Sequence, residues 1–423
     1  MDAIIQVITN HEFIVNVLGG FTNFTWQAGV MILIGAVLIY LGVAKDYEPL
    51  LLVPIGFGCI LANLPLTELI HVPREGFVFN ESLEQELIHI GLMPFVDGVR
   101  EVNVGILDTL YNAGIANELF PCLLFIGIGA MTDFGPLLQN PRVMLLGGAG
   151  QFGIFLTLML ALVIGYDKLD AICISIIGAC DGPTSIFITS MFNPALLGPI
   201  SVAAYSYMSL VPLIQPPVMK LCTSKKEREF VMSYEMLTPV TQRTKILFPV
   251  VVTVVTLLIA PSGGALMGTL MFGNFLRECG VVGRLVQSAE NEIANVTTLF
   301  LGLTVGATMG AEVFLTAKTL GIFALGFIAI CGDTAFGVFG AKLMNLFSKQ
   351  KINPLIGASG ISAFPMSARV AHKVGNEANP QNYLLMHAMG VNTSGQIGSV
   401  LTASVMIAVI VALQSMGVDL SIN

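Results

Sequence analysis

The sequence predicts an all-α polytopic membrane protein: two inverted repeats, about ten spanning helices, and two broken or re-entrant segments. Three observations carry that prediction. Of 423 residues, 55% are hydrophobic and only 11% charged, against roughly 25% charged in ordinary globular domains, so too little polar surface exists to clothe a water-soluble particle. Apolar runs of bilayer length, about 20 residues per helix, recur along the whole chain. The charges that remain are sorted by sign between loops, as membrane topology requires.

The elements follow in order. The start, Met1-Asp2-Ala3-Ile4, has no basic residue ahead of its apolar ones and does not resemble a cleaved signal peptide, so insertion is expected to rely on the membrane helices themselves. Apolar runs cover 28–45, 49–64, 118–134, 143–166, 171–190, 198–219, 245–261, 264–276, 293–310, 318–346, 353–370 and 382–413. The polar stretch 65–117 is acidic, with Glu68, Glu75, Glu81, Glu84, Glu86, Asp97, Glu101 and Asp108 against Arg74 and Arg100. The stretch 220–245 is basic, with Lys220, Lys225, Lys226, Arg228, Arg243 and Lys245. By the positive-inside rule the basic stretch faces the cytoplasm and the acidic one the exterior. The chain therefore divides into a first membrane repeat at 1–219, carrying an external insertion at 65–117, a cytoplasmic linker at 220–244, and a second repeat at 245–423.

With Lys45 and Arg142 inside, counting every later run as a full span puts the basic linker outside, against its charge. One segment must enter and leave on the same side. Asp181-Gly182-Pro183-Thr184 breaks 171–190, and Pro354, Gly357, Gly360 and Pro365 break 353–370. Treating both as re-entrant also places Arg277, Arg284, Lys342, Lys349 and Lys351 inside. The halves echo each other: Ile55-Gly56-Phe57-Gly58 resembles Leu270-Met271-Phe272-Gly273, and Phe125-Ile126-Gly127-Ile128-Gly129-Ala130 resembles Phe300-Leu301-Gly302-Leu303 with Gly306-Ala307 following. An odd number of spans per half inverts the repeats, an arrangement that gathers ion and substrate sites at discontinuous helices near the midplane.

Composition excludes other classes. The net charge of −8 is set by a few loops and gives no nucleic-acid footprint. The seven cysteines (Cys59, Cys122, Cys173, Cys180, Cys222, Cys279, Cys331) form no C-x-x-C pair, so neither a zinc site nor a disulfide framework is expected.

Asp181 is the strongest chemical signal, since a carboxylate in a membrane segment costs at least about 2.5 kcal/mol and is kept for a reason. Two roles are compatible with it: a cap on the half-helix that starts at Gly182-Pro183, and a cation ligand beside the carbonyls freed at the break. The second break offers Asn353, Ser359, Ser362, Ser367 and Arg369. Asn353 precedes Pro354 much as Asp181 precedes Pro183, which makes the two candidate equivalents. Arg369 reads either as a snorkelling, positive-inside arginine or as a binder of an anionic group. The final run contributes His387, Asn392, Thr393, Ser394 and Gln396, its counterpart Ser201, Tyr205, Ser206, Tyr207, Ser209 and Gln215. Asp133 reads as a turn or cap near the surface, and Asp333 is a second acid inside a span.

Several long motifs resemble one family across nearly the whole chain: Ala130-Met131-Thr132-Asp133-Phe134-Gly135-Pro136-Leu137-Leu138, Asp181-Gly182-Pro183-Thr184, Ala203-Ala204-Tyr205-Ser206-Tyr207-Met208, Val211-Pro212-Leu213-Ile214-Gln215-Pro216-Pro217 and Lys351-Ile352-Asn353-Pro354-Leu355-Ile356-Gly357. They resemble the β subunit of the sodium-pumping, biotin-dependent decarboxylases of oxaloacetate, methylmalonyl-CoA, glutaconyl-CoA and malonate. The resemblance implies a multi-pass protein of the bacterial inner membrane that decarboxylates carboxybiotin on a biotin carrier subunit and couples this to sodium export with proton uptake. It implies a carboxyltransferase α subunit and a small membrane γ/δ subunit as further partners, and is compatible with a homo-oligomer. Carried over residue by residue, it implies Asp181 as central sodium ligand and coupling acid, Asn353 and Asn392 as sodium ligands, and Tyr207 and Ser362 in the sodium and proton pathway. Arg369 matches a motif position suited to carboxybiotin. The chain departs from the family at Cys180, usually glycine or alanine, and at Val391, often proline. A stand-alone sodium/proton antiporter or sodium-coupled symporter with inverted repeats is the alternative that the physics leaves open.

Overall fold

The computed structural model describes residues 21, 23–45, 47–65, 105–232 and 239–416. Most of the acidic stretch expected outside, and the chain start, lie outside the described residues. Every described regular element is helical. The chain runs through α1 (Trp26–Lys45), α2 (Pro49–Ala62), α3 (Leu119–Met131), α4 (Pro141–Ile164, interrupted at Gln151), α5 (Lys168–Ser175) and α6 (Gly182–Phe192). It continues through α7 (Leu197–Cys222), α8 (Gln242–Ile259), α9 (Gly264–Cys279), α10 (Ala294–Ala307), α11 (Ala317–Phe347), α12 (Met366–Ala378) and α13 (Leu385–Ser415). Local chemistry sets several boundaries. Thr241 and Thr316 accept from Thr244 N at 3.3 Å and Thr319 N at 3.2 Å as N-caps of α8 and α11, while Gly165 and Gly280 end α4 and α9 in the left-handed region.

Six described helices are long and apolar enough to cross a bilayer, or seven if the pair Ile106–Ile115 and Leu119–Met131, bent by 60°, is one span. The sequence led to about ten. The shortfall lies in α2, α3, α9 and α10, which have 13 to 16 residues, about 20–24 Å at 1.5 Å per residue against a hydrocarbon core of about 30 Å.

These short helices pack in two pairs on glycine. A Cβ on Gly58 of α2 would lie 2.1 Å from Leu303 O, and one on Gly306 of α10 2.0 Å from Ile55 O. In the other pair, a Cβ on Gly129 of α3 would lie 2.0 Å from Leu270 O, and one on Gly273 of α9 2.1 Å from Ile126 O. Only glycine permits backbones this close, the small-residue packing of membrane helices. In all four contacts the carbonyl belongs to the residue three before the partner's glycine. By this shared register Gly58 and Gly273 hold like places in their pairs, as do Gly129 and Gly306.

The two broken segments occupy the core; Ala171–Thr189 and Ile352–Ala363 are buried throughout. The first runs from α5 through a 3-10 turn (Ile176–Ala179) into α6. Its two ends are tied together, since Asn193 Nδ2 donates to Asp170 Oδ1 at 2.6 Å and Lys318 pairs with the same carboxylate. The second runs through a 3-10 stretch (Pro354–Gly360) into α12. Both its ends return to the linker: Asn353 and Asn382 donate to Phe230 O at 2.8 and 2.9 Å, and Asn379 to Glu229 O at 3.2 Å. Each segment thus comes back to the end from which it set out. Their tips meet, with Ser362 N donating to Ala179 O at 3.0 Å.

The linker end also collects the ion pairs Lys220–Glu377 (3.1 Å), Lys342–Glu227 (3.0 Å) and Lys245–Asp133 (3.7 Å). Surface pairs of this kind stabilise little, but they gather the ends of α7, α11 and α12 and the start of α8 on one side. Asp133 is the turn residue expected, its Oδ1 accepting from Gly135 N at 2.7 Å.

Candidate functional site: the meeting of two broken helices

Asp181 is 7% exposed and caps α6. Its Oδ2 accepts from Thr184 Oγ1 at 2.7 Å and from Ser399 Oγ of α13 at 3.0 Å, while Oδ1 takes only a long bond from Thr184 N at 3.4 Å. The capping role and a ligand role are compatible, because one carboxylate oxygen keeps most of its lone-pair capacity. Cys180 stands in the left-handed region at φ +50°, a conformation costing non-glycine residues about 1–2 kcal/mol. The departure at Cys180 therefore falls on a strained hinge. Tyr205 lies over Gly182, where a Cβ would meet its ring at 2.1 Å and its hydroxyl at 2.7 Å; that hydroxyl is buried without a partner.

The second break exposes carbonyls that lipid cannot satisfy. Three side-chain amides from three helices cover them. Asn392 of α13 donates to Ser359 O (3.2 Å) and Ile361 O (2.7 Å), Gln151 of α4 to Gly360 O (2.9 Å), and Gln215 of α7 to Ala358 O (2.9 Å). Asn392 Oδ1 and Gln151 Oε1 are left buried and unpartnered. Ser362 Oγ donates to Gly395 O at 3.0 Å. Asn392, Gly395 and Ser399 repeat at helical spacing on one face of α13, so this face lines the junction of both breaks.

Asp181, Ser362 and Asn392 thus come together around α13. Asn353 does not join them: both its amide hydrogens go to the linker, to Arg228 O at 3.0 Å and Phe230 O at 2.8 Å, and its Oδ1 accepts from Leu355 N at 3.0 Å. The parallel with Asp181 fails because Asn353 opens the 3-10 stretch, whereas the bend that faces Cys180-Asp181 is at Ile361-Ser362. Tyr207 turns to α11, donating to Phe323 O at 2.5 Å and packing on Phe327. Tyr205, two residues earlier and so about 200° round the helix, is the tyrosine beside the Asp181 break. Arg369 is exposed, one turn after Met366, which lines a cavity of about 380 Å³ with Lys45, Tyr47, Ser209 and Pro212.

The sequence offered Thr184 only within the Asp181 motif and Tyr205 only among the polar residues of its helix, and did not point to Ser399 or Gln151. Ser399 had a signal, standing two turns after Asn392; Gln151 had none, because only the fold brings it to Gly360. Asp333 is 1% exposed and lies against the glycines of two elements, with Cβ positions on Gly153 and Gly178 at 2.2 and 2.7 Å from its carboxylate. Among the described residues no group of three or more His, Cys, Asp or Glu side chains could hold a metal. The junction gathers the Asp181 carboxylate and several neutral oxygens, with the Asp333 carboxylate against Gly178 of the first break, oxygen donors of the kind hard cations accept.

Comparison with known proteins gives a consistent likeness. Residues 27–410 match the family described as Na+-transporting oxaloacetate decarboxylase beta subunit. The chain is 49% identical to methylmalonyl-CoA decarboxylase subunit beta of Veillonella parvula over 391 residues, covering 92% of this chain and 95% of that one. It is 47% identical to glutaconyl-CoA decarboxylase subunit beta of Acidaminococcus fermentans over 410 residues (97% and 99%). It is likewise 47% identical to the probable oxaloacetate decarboxylase beta chain of Vibrio cholerae over 419 residues (92% and 96%).

Proposed function

This chain belongs to the Na+-transporting oxaloacetate decarboxylase beta-subunit family, and from that premise we propose that it decarboxylates carboxybiotin held on a partner subunit while exporting sodium in exchange for a proton. It is the multi-pass, membrane-embedded subunit of a biotin-dependent, sodium-translocating decarboxylase. Membership decides against the stand-alone antiporter. One observation carries the mechanistic reading: the two breaks meet, Ser362 N on Ala179 O at 3.0 Å, beside a buried carboxylate.

In this reading the two halves are inverted repeats about that junction. The reciprocal glycine contacts of α2 with α10 and of α3 with α9 support it, since exchanging the halves maps one pair onto the other. So do the two broken segments, each returning to its own end. The short helices then reach only part of the bilayer, and the ten-span topology counts them as spans.

Sodium, the transported ion, binds at the junction. Asp181 supplies the charge, Asn392 Oδ1 a neutral ligand, and Ser362 and Ser399 hydroxyl oxygens at the rim. Asn353 acts from a distance by fixing the second broken segment to the linker. Loss of carbon dioxide from carboxybiotin leaves a biotin nitrogen that must take up a proton, N–CO2⁻ + H⁺ → N–H + CO2. In this proposal the hydroxyl and carboxyl groups at the junction, Tyr205, Ser362 and Asp181, relay that proton, with Tyr207 holding α7 to α11. Sodium arrival favours ionised Asp181, so ion binding and proton release are linked. Arg369, on the linker side, receives the anionic carboxyl group.

A biotin carrier, a carboxyltransferase α subunit and a small γ/δ subunit complete the assembly. Relatives named for three different substrates are 47–49% identical to this chain, so we assign substrate choice to the carboxyltransferase. The test is reconstitution. A complex lacking this chain should carboxylate its biotin but release no carbon dioxide; sodium transport by this chain alone, with no biotinylated partner, would overturn the reading.

A further inference from the structure

A cavity of about 950 Å³ opens at the linker end, between α4, α11, the linker and the start of the second broken segment. Its rim is basic. Lys226, Lys342 and Lys351 line it against one acid, Glu227, a net charge of +2. Glu227 is bound to Lys342 at 3.0 Å, while Lys226 and Lys351 are exposed and ion-pair with no acid among the described residues. Its wall is apolar, with Phe152, Phe336 and Phe339 of α4 and α11. Leu343 and Leu346 on the same helix are 57% and 78% exposed, which carries the apolar wall out to the lipid-facing surface.

We propose that this cavity is a binding site for an anionic glycerophospholipid, its phosphate between Lys226 and Lys351 and its acyl chain along Phe336, Phe339 and Leu346. The charge and the wall together select the occupant. A lysine-rim site on the cytoplasmic side of membrane helices suits a lipid headgroup phosphate, and the lysine stems can follow an apolar wall while their ammonium groups stay at the interface. A soluble acidic protein could reach the rim but not a wall that opens to lipid, and a free phosphate would leave the wall unused.

The site also touches the second broken segment. Ile352 and Pro354 line the cavity, and Asn345 of α11 clamps Ile352 through Nδ2 to Ile352 O and Ile352 N to Oδ1, both at 2.8 Å. A bound lipid therefore braces the entry of the second broken segment against α11.

The test uses the purified full-length chain in neutral detergent, titrated with short-chain phosphatidylglycerol, short-chain phosphatidylcholine and inorganic phosphate, with bound lipid counted by native mass spectrometry. Phosphatidylglycerol should saturate one site and raise the thermal midpoint. Lys226→Gln with Lys351→Gln should weaken it roughly thirty-fold, which is about 2 kcal/mol at about 1 kcal/mol per lysine, and Lys226→Arg with Lys351→Arg should retain it. Equal binding of phosphatidylcholine, equal effectiveness of inorganic phosphate, or phosphatidylglycerol binding unmoved by the glutamine pair each overturns the proposal. So does loss of the biotin carrier subunit from the whole complex carrying the glutamine pair while lipid binding by the purified chain is intact, which reassigns the cavity to protein docking. None of these readouts needs decarboxylase activity, so the lipid site can fail while the proposed function stands.

Discussion

Replacing Asn392 with alanine separates a sodium ligand from a structural amide, because the structure supplies its own controls. Asn392, Gln151 and Gln215 all donate to carbonyls of the second break. Removing the Asn392 amide strips two bonds, to Ser359 O and Ile361 O; at about 0.6 kcal/mol per membrane hydrogen bond, the loss of stability is about 1 kcal/mol. Gln151→Ala and Gln215→Ala should cost a similar amount. The ion term differs. A neutral oxygen facing a full charge contributes about 1.5–3 kcal/mol, so losing Asn392 Oδ1 should raise the sodium concentration for half-maximal decarboxylation at least roughly ten-fold. Gln215→Ala, whose oxygen already accepts from Ser367 at 3.0 Å, should leave it within about two-fold. Sodium titration of the solubilised complex, beside thermal unfolding of each variant, reads both quantities. Half-activation unmoved in Asn392→Ala, or moved equally in Gln215→Ala, refutes the ligand assignment.

Gly182→Ala should abolish activity, since its Cβ would meet the Tyr205 ring at 2.1 Å; Gly182→Ala with Tyr205→Ala should recover folding, measured as detergent-stable yield, if that contact is the cause. Asn353→Ala should loosen the linker, seen as faster amide exchange at 228–230, with a smaller change in sodium half-activation than Asn392→Ala; the reverse order would make Asn353 the ligand. In a cysteine-free background, Lys168→Cys and Lys225→Cys should react with impermeant reagent from opposite faces, and labelling of both from one face would remove the inverted topology. Partial burial pushes the Glu227 carboxyl up, but the Ser224 amide and hydroxyl and the Lys342 ammonium outweigh it and hold the carboxyl below the usual range. A depressed folded value stabilises above the unfolded one, so linker protection should be full at neutral pH and fall as pH drops below about 4; protection unchanged down to that pH would mean the pair contributes nothing.

Helix breakers made much of this arrangement legible. Asp181-Gly182-Pro183 and Pro354 to Pro365 marked the two breaks that meet in the core, because a membrane leaves few explanations for a proline beside polar residues. The count of spans was less legible. Apolar composition does not reveal where a helix stops short, as α2, α3, α9 and α10 do at 13 to 16 residues. Asn353 and Asp181 looked alike since both precede proline, yet that local signal marks the start of a helical turn wherever it falls in the bilayer. Which of Tyr205 and Tyr207 faces the break depends on the rotation of α7, which three internal prolines (Pro212, Pro216, Pro217) and polar residues spread over Ser201 to Gln215 leave unmarked. Gln151 reaches the junction only through tertiary packing.

We propose above all that sodium binds where the two broken helices meet and that Asp181 provides the charge. Uptake of radioactive sodium by proteoliposomes holding the whole decarboxylase complex tests it most directly, with Asp181→Asn against the unaltered chain. Asparagine keeps the shape and can still meet Thr184 and Ser399, so the complex should assemble and still carboxylate its biotin. Sodium uptake and sodium-stimulated carbon dioxide release should be lost together; near-normal uptake by the Asp181→Asn complex would rule out the ligand role and leave Asp181 as a helix cap.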